Sequence, residues 1–340
     1  MYNLRFIKTI ITTSLVTSLL TACTITPNQA PKSSSSLSQK QSLNHAYDYV
    51  LLDKQHQPIK LNQAIQQLEE ADIIFIGEYH GNHASHLLEM QIFSGLYQHN
   101  PQLILSMEMF NRDQQGNLND YLDSAIGEAY LVKETPAWNN YVASYRPLVE
   151  FAKSHFISVI AANASADIVR CIGRQGTAYI DKLDSTEKQQ IAKQPFAEIP
   201  DYKVKFYNFL EKVRQLPEKR KERSYLAQIT RDNTMAESIY QAWLDHPEHK
   251  IVHLNGTFHS ENHLGTVAAL KRLNPKLNIQ VVTPVQVEQF ETIEKLNLDP
   301  NLNNDFIYLV KPQPEQYVDA SYKRKARKQM FEKSEQAICK

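Results

Sequence analysis

Apolar and polar positions follow two different periods along the chain after about residue 45. Short apolar runs rich in β-branched residues predict strands, and stretches with apolar residues three or four positions apart predict helices between them. This alternation is typical of an α/β fold with a mostly parallel central sheet flanked by helices. The predicted strands are Asp72–Gly77, Leu103–Met109, Ile157–Ala162, Lys250–Leu254, Ile279–Val282 and Phe306–Val310.

One long section shows helical periodicity with no strand pattern. It runs from about residue 165 to about residue 246 and is interrupted by Pro195, Pro200 and Pro217. We therefore predict an inserted all-helical lobe between the third and fourth predicted strands, with Glu222–Leu244 as the long helix that returns to the sheet. The other predicted helices are His83–His99, Tyr145–Phe156 and His263–Leu273.

The first 22 residues have the pattern of a secretory signal. Arg5 and Lys8 precede the apolar run Thr9–Leu20, and small residues follow it up to Cys23. The tetrad that ends at Cys23 resembles a bacterial lipobox, whose cysteine becomes the lipidated N-terminus after cleavage. Thr24, rather than Asp, then favours the outer membrane of a Gram-negative cell, and the sequence leaves open whether the protein faces the periplasm or the cell surface. A plain signal peptide with an incidental cysteine is the alternative.

These patterns divide the chain into four segments. We predict a lipoprotein signal peptide at 1–22, a flexible tether carrying lipid such as palmitate at 23–45, one α/β domain at 46–315 and a basic C-terminal tail at 316–340. The tail contains Lys323–Lys328, which suits either an anionic lipid surface or a solvated helix. Cys171 and Cys339 are left after Cys23, and the sequence leaves open whether they pair.

Composition removes two classes of function. The chain has 340 residues with 37 basic and 37 acidic side chains, so its net charge is zero, and 42% of its residues are hydrophobic. A disordered protein would be less apolar and more highly charged, and a nucleic-acid binder would carry a basic field. We therefore expect a folded domain with no nucleic-acid partner.

Polar residues follow the predicted strands where the strands end. Glu78 and Glu108 follow the first two strands, and the pattern Gly-x-x-His occurs at both Gly77–His80 and Gly256–His259. The carboxyl ends of parallel strands form the crevice in which ligands bind in open α/β sheets. We expect a glycine at each site to permit a tight exit from the strand and each histidine to point into the crevice. We interpret the remaining nearby histidines as structural: His83, His86, His253 and His263.

Two chemistries suit this set. Glu78, His80, Glu108 and His259 are side chains that hold Zn²⁺ or a similar divalent metal, and a carboxylate beside a metal-bound water acts as a general base in hydrolases. The same four side chains also form ionic networks that only stabilise a scaffold. The spacing does not choose between a metal-dependent hydrolase and a scaffold.

The ordered motifs resemble the ChaN family of haem-binding bacterial lipoproteins, within a superfamily that includes Tiki-type proteases and erythromycin esterases. The matching pieces extend from about residue 70 to residue 270. They are Ile76–His80, Met107–Phe110, Tyr145–Glu150, Ala161–Asn163, Ala227–Ala236 and Gly256–His259.

The resemblance implies a tethered, non-enzymatic protein that binds haem at a homodimer interface for haem or iron acquisition, with an outer-membrane haem receptor as a further partner. In the family a tyrosine of one subunit holds the iron and a histidine of the other contacts the propionates. No histidine lies between His155 and His246, so Lys203, Lys205 or a histidine of the crevice would contact the propionates instead. The resulting candidates for haem binding are Tyr202, Tyr207, Tyr225, Lys203 and Lys205, with Tyr202 first because Pro200 starts its helix and lets the ring project.

Overall fold

The structure is a computed structural model that describes residues 43–135, 138–213, 216–288, 296, 298–302, 304–335 and 338–340. Cys23 and the predicted signal peptide lie outside the described residues. The strands are β1 Tyr49–Leu52, β2 Ile73–Glu78, β3 Leu103–Asn111, β4 Ser158–Asn163, β5 Lys250–Gly256, β6 Ile279–Gln286 and β7 Phe306–Val310.

The described strands form one sheet in the order β1-β7-β6-β2-β5-β3-β4. Only the edge strand β1 is antiparallel, to β7, and the other neighbours are parallel. The strands β2 and β7 are buried at every position, because helices cover both faces of a parallel sheet. The carboxyl ends of six strands therefore share one edge.

Helices connect and cover the strands. Asn82 caps the longest helix outside the lobe by accepting hydrogen bonds from the N–H groups of Ala84 and Ser85, each at 3.1 Å. The helices are α1 Leu61–Leu68, α2 His83–His99, α3 Gln115–Leu122, α4 Glu128–Glu134, α5 Tyr141–Ser144, α6 Arg146–Ser154, α7 Ala166–Gln175, α8 Ser185–Gln189, α9 Pro200–Val213, α10 Glu218–Asp245, α11 Thr266–Leu273 and α12 Ala320–Glu335.

The predicted fold class is confirmed. All six predicted strands are present, five of them extended at their carboxyl ends, and the described residues between β4 and β5 form helices joined by loops, with no strand. The long helix α10 packs against β4, α7 and α11 and so joins the lobe to the sheet. The antiparallel strand β1 was not predicted. No helix in the described part of the chain is long and apolar enough to cross a bilayer.

The two remaining cysteines are paired. Cys171, on α7, forms a disulfide with Cys339, across a sequence separation of 168 residues. Cys171 is buried in a small apolar cluster formed mainly by α7 and the segment after it. The question that the sequence left open is thus answered by the structure.

Candidate functional site

Four neighbouring strands end in buried polar groups that together form the crevice. Glu78 ends β2, Asn255 precedes the last residue of β5, Glu108 lies near the end of β3, and Asn163 ends β4. The pairing of β3 with β4 shifts register between Met107 and Asn111, in the stretch that contains Glu108. There Glu108 Oε2 accepts the backbone N–H of Gly256 at 2.7 Å, so the carboxylate is fixed to the neighbouring strand.

The two Gly-x-x-His motifs pack directly against each other. A Cβ on Gly256 would lie 2.6 Å from Nε2 of His80, and a Cβ on Gly77 would lie 3.2 Å from Cα of Thr257. Neither glycine has a positive φ. The expectation that the glycines permit a tight exit was therefore wrong: they are needed because each motif occupies the space that a side chain of the other would fill.

The first motif holds its imidazole through a buried carboxylate. Glu78 is 1% exposed; it contacts His80 Nδ1 and accepts the hydroxyl of Tyr145 at 2.5 Å. Burial alone would raise the pKa of Glu78, but hydrogen bonds from His80 and His86 outweigh it and lower the pKa. Burial lowers the pKa of His80, but the bond to Glu78 and the charges of Glu108 and Glu78 together outweigh burial and raise it. The rings of His80 and Trp138 pack in a T-shaped arrangement, with their centroids 4.7 Å apart.

The second motif holds its imidazole in the same way, through a residue that the sequence analysis did not identify. His259 Nδ1 lies 2.8 Å from Oδ1 of Asp232 in α10, and His259 Nε2 lies 3.5 Å from Oε1 of Glu108. Asp232 is completely buried and also accepts the hydroxyl of Thr266 at 2.9 Å. Burial lowers the pKa of His259, but the charges of Asp232 and Glu108 outweigh burial and raise it.

A third buried group adjoins Glu78. His86 Nδ1 lies 3.0 Å from Glu89 Oε2 and 3.3 Å from Glu78 Oε2. Burial and the charge of Glu78 raise the pKa of Glu89, so Glu89 holds a proton while Glu78 is ionised.

The hydrogen bond at Nε2 determines the protonation state of the His86 ring. Burial lowers the pKa of His86, whereas the two carboxyl groups raise it, to about 10. However, His86 Nε2 accepts the N–H of Gly81 at 3.1 Å, which a doubly protonated ring cannot do. We therefore assign a neutral ring with its proton on Nδ1. A metal ion on Nδ1 would move that proton to Nε2, against the N–H of Gly81, so this group is better suited to a proton than to a metal.

The structure brings Glu78, His80, Glu108 and His259 to one crevice, as two carboxylate-held imidazoles. No three of these four described side chains place ligand atoms within 4.8 Å of one another. The four residues interpreted as structural behave in different ways. His253 is buried with its pKa lowered to about 3 by burial, His86 is buried, His263 pairs with Asp305 at 2.9 Å, and His83 is exposed against Tyr47.

The tyrosines of the lobe do not project as expected. Tyr202 is completely buried, its hydroxyl accepts Gln228 Nε2 at 2.9 Å, and burial raises its pKa. Tyr225 is also buried and donates to the carbonyl of Ile199 at 3.1 Å, and burial again raises its pKa. The prediction that Tyr202 projects from the lobe was wrong, because it lies four residues before Phe206 on the inward face of α9. Only Tyr207 of the three is partly open to solvent.

An exposed groove runs along α9 beside the buried Tyr202 ring, which packs against Phe258 in its wall, and we call it the α9 groove. Its volume is about 650 Å³, in the range of small-molecule sites. Val204 is 61% exposed there and Phe209 is 46% exposed. Lys205 lies in the groove and pairs with Glu261 at 2.9 Å, whereas Lys203 lies on the other flank of α9, over the Tyr207 and Tyr225 rings. The groove is lined by Asp201, Val204, Lys205, Asn208, Phe209, Lys212, Phe258, Glu261, Asn262, Leu264 and Asn301.

Comparison with solved structures gives the same fold. The chain is similar to ChaN of Campylobacter jejuni, solved with cofacial haem, at 18% identity and a TM-score of 0.57, covering 80% of this chain and 100% of that one. An erythromycin esterase in its open conformation (10% identity, TM-score 0.42, covering 81% and 86%) and a type III effector (10%, 0.43, covering 80% and 100%) are further matches. No curated protein matches the sequence.

The family comparison covers the crevice and most of the lobe together. Residues 64–270, from α1 to α11, match the model described as haem-binding uptake, Tiki superfamily, ChaN. This range includes both Gly-x-x-His motifs, Asp232 and every lining residue of the α9 groove except Asn301. The chain therefore belongs to the ChaN family of haem-binding uptake proteins.

Proposed function

We propose that this protein is a tethered haem-binding lipoprotein that serves haem or iron acquisition, with haem bound between two copies of the chain. The observation that carries the proposal, beside the family, is the α9 groove. Exposed Val204 and Phe209 on one helix offer an apolar surface to a porphyrin. Contiguous exposed apolar side chains are typical of binding sites.

The residues of the groove suit a haem chemically. Val204, Phe209 and Phe258 form its apolar wall, and Lys205 and Lys212 supply cations for the two propionates. Lys205 is already fixed by Glu261 and by the carbonyl of Phe258, to which it donates at 3.0 Å, so its ammonium is held in place before a ligand arrives. When bound, haem supplies an iron that takes an axial ligand from protein side chains.

The axial ligand has to come from outside the α9 groove. Among the described residues, the lining of the groove includes no tyrosine, histidine, cysteine or methionine. Tyr202 and Tyr225 are committed to buried hydrogen bonds, whereas Tyr207 is accessible. Burial raises the pKa of Tyr207, and the charge of Lys203 above its ring opposes that rise. We infer that Tyr207 of a second copy faces the groove in a homodimer.

The tether is a separate part of the proposal. Cys23 carries the lipid in this scheme, and the segment that follows it holds the domain at the outer membrane, close to a haem receptor. Metabolic labelling with a palmitate analogue tests it: the intact chain should be labelled and found in the membrane fraction, and Cys23→Ala should be neither. Labelling that persists in Cys23→Ala would contradict the tether.

The haem-binding proposal is tested by titrating the domain that begins at residue 43 with ferric haem while following absorbance. We expect saturable binding with the spectrum of a tyrosinate ligand, lost in Tyr207→Phe and retained in Tyr202→Phe. The matched pair separates an accessible from a buried ring on the same helix. Retention of the tyrosinate spectrum in Tyr207→Phe would contradict the assignment of the ligand.

A metal-dependent hydrolase is the second candidate. It is favoured by the crevice, where Glu78 and Asp232 orient His80 and His259 through Nδ1, as carboxylates orient metal-bound histidines, with Glu108 available as general base. The ligand atoms do not converge, so a metal would have to draw them together. Metal analysis of protein purified without chelators tests it: one divalent ion per chain, lost in His259→Ala, would support it. No ion, with Glu78→Gln and His80→Ala lowering only the melting temperature, would favour a scaffold.

A further inference from the structure

The crevice contains a further charged side chain, Arg231, which neither Gly-x-x-His motif engages. Arg231 lies in α10 beside Asp232, and α10 packs against β4. Its Nη1 is 3.5 Å from Oδ1 of Asn163, the last residue of β4. The charge of Glu108 acts on its guanidinium, and its own charge acts on the His259 ring. Arg231 therefore lies on the β4 side of the crevice.

The protein uses little of the hydrogen-bonding capacity of this guanidinium. The group carries several N–H donors. In the described part of the chain, Asn163 Oδ1 is the only acceptor within hydrogen-bond distance, and it is at the outer limit for such a bond. That oxygen also accepts the N–H of Ala164 at 2.9 Å. Nε and Nη2 of Arg231 have no partner among the described residues and are not enclosed, so both are open to solvent.

Another partly buried arginine shows how a structural guanidinium is bonded in the same region. Arg112 follows β3 and also reaches α10. It donates to the hydroxyl of Ser238 at 2.8 Å and to two backbone carbonyls at 3.0 Å each, and it pairs with Glu237 at 3.1 Å. Arg112 thus joins α10 to the end of the sheet, whereas Arg231 makes no comparable connection.

A guanidinium in this position is unfavourable for the fold alone. Burial lowers the pKa of Arg231, and the charges of Glu108 and Asp232 oppose that fall. A charge that is taken out of water without a well-bonded partner destabilises a protein. Residues that break such a rule are expected where a protein binds a ligand, because the ligand supplies the missing partner.

The open donors indicate the class of ligand. The N–H groups of a guanidinium lie in one plane and pair with two oxygens of a carboxylate or a phosphate. The neighbouring carboxylates are already held, since Asp232 has two hydrogen-bond partners and Glu108 accepts the N–H of Gly256. We propose that Arg231 binds an oxyanion in the crevice, the carboxylate or phosphate group of a small ligand. Arg231 does not line the α9 groove, and the proposal depends neither on haem nor on a metal.

The test is isothermal titration calorimetry of the full chain with two probes, inorganic phosphate and acetate, each compared with sodium chloride at the same ionic strength. We expect saturable binding of at least one probe, weakened about tenfold or more in Arg231→Met. Arg220→Met removes the same charge from an exposed position of α10 and should leave the affinity unchanged. Binding of phosphate alone would assign a phosphate-bearing ligand, and binding of acetate alone a carboxylate. Failure of both probes to bind, or equal affinity in Arg231→Met, would overturn the proposal.

The melting temperature without a ligand separates binding from a structural role. In a buffer that contains neither phosphate nor a carboxylate, Arg231→Met should melt at the temperature of the parent or higher, because an unpaired charge is removed. Arg112→Met should melt about 3 °C lower or more, because it leaves the partners of that guanidinium unpaired. A fall in Arg231→Met as large as that in Arg112→Met would overturn the proposal, because it would show that Arg231 serves the fold.

Discussion

Shortening the two exposed apolar side chains of α9 tests whether the α9 groove holds haem. The variant is Val204→Ala combined with Phe209→Ala. A valine-to-alanine change removes two methyl groups of about 0.8 kcal/mol each, and at 61% exposure about 1 kcal/mol of that is available to a ligand. Phe209, at 46% exposure, adds about 1 kcal/mol on the same scale. Together they predict a Kd for haem raised about 30-fold.

The assay is ferric-haem titration followed by the Soret absorbance, with urea unfolding measured beside it. The rest of each side chain packs against the protein, so each substitution should lower the free energy of unfolding by about 1 kcal/mol and leave the domain folded. The control is Val142→Ala combined with Leu244→Ala, which are 49% and 48% exposed but lie outside the groove. An unchanged Kd in the groove variant, or an equal loss in the control, would refute the placement of haem.

Three further predictions concern the crevice. Asp232→Asn should lower the free energy of unfolding by about 2 kcal/mol at pH 6 and by less at pH 9. The folded pKa of His259 is raised, so the stability that the charged ring gains from Asp232 is present below the unfolded pKa and is lost as the pH rises through the folded pKa. Urea unfolding at the two pH values measures this, and a larger loss at pH 9 would contradict it. Glu89→Gln should change the free energy of unfolding by less than about 1 kcal/mol, because Glu89 is already protonated. Glu78→Gln should lower it by about 2 kcal/mol or more, because Glu78 is ionised and buried. Equal losses in thermal unfolding would count against this assignment of the proton. Gly256→Ala should destabilise by about 1–3 kcal/mol, because the new Cβ meets the facing imidazole at 2.6 Å; a variant as stable as the parent would show that the two motifs do not need to pack so closely.

The sheet was largely predictable because its parallel strands are buried on both faces. Such strands appear in sequence as continuous apolar runs, and Phe306–Val310 was predicted to the residue. The antiparallel strand Tyr49–Leu52 was missed because four residues beside a polar tether give no period to measure. Long-range pairing with β7, rather than local preference, makes it a strand.

The candidate site could be predicted only where a sequence motif marks its residues. The strand-end position of His80 and His259 follows from the motifs, but the partner of His259 does not. Asp232 lies in the middle of α10, and only the folding of that helix over the sheet brings its carboxylate 2.8 Å from the ring. Its buried neighbours Thr230, Asn233 and Thr234 are polar, so the apolar period of the helix does not mark this face as buried.

The orientation of Tyr202 failed for a related reason. Its helix carries aromatic rings on more than one face, so the apolar period does not say which ring is inward. Packing against Phe258 and the hydrogen bond from Gln228 decide it, and both partners are distant in sequence.

The central claim, a haem site shared between two copies, is tested most directly by mixing two defective variants. One carries Val204→Glu with Phe209→Glu and lacks the groove, and the other carries Tyr207→Phe and lacks the ligand. If groove and ligand come from different copies, random pairing makes half of the dimers mixed, with one intact site in two, so about a quarter of the parent haem capacity with its tyrosinate spectrum should return. If each copy supplies both parts of its own site, the mixture will recover nothing, and the account of a shared site is contradicted.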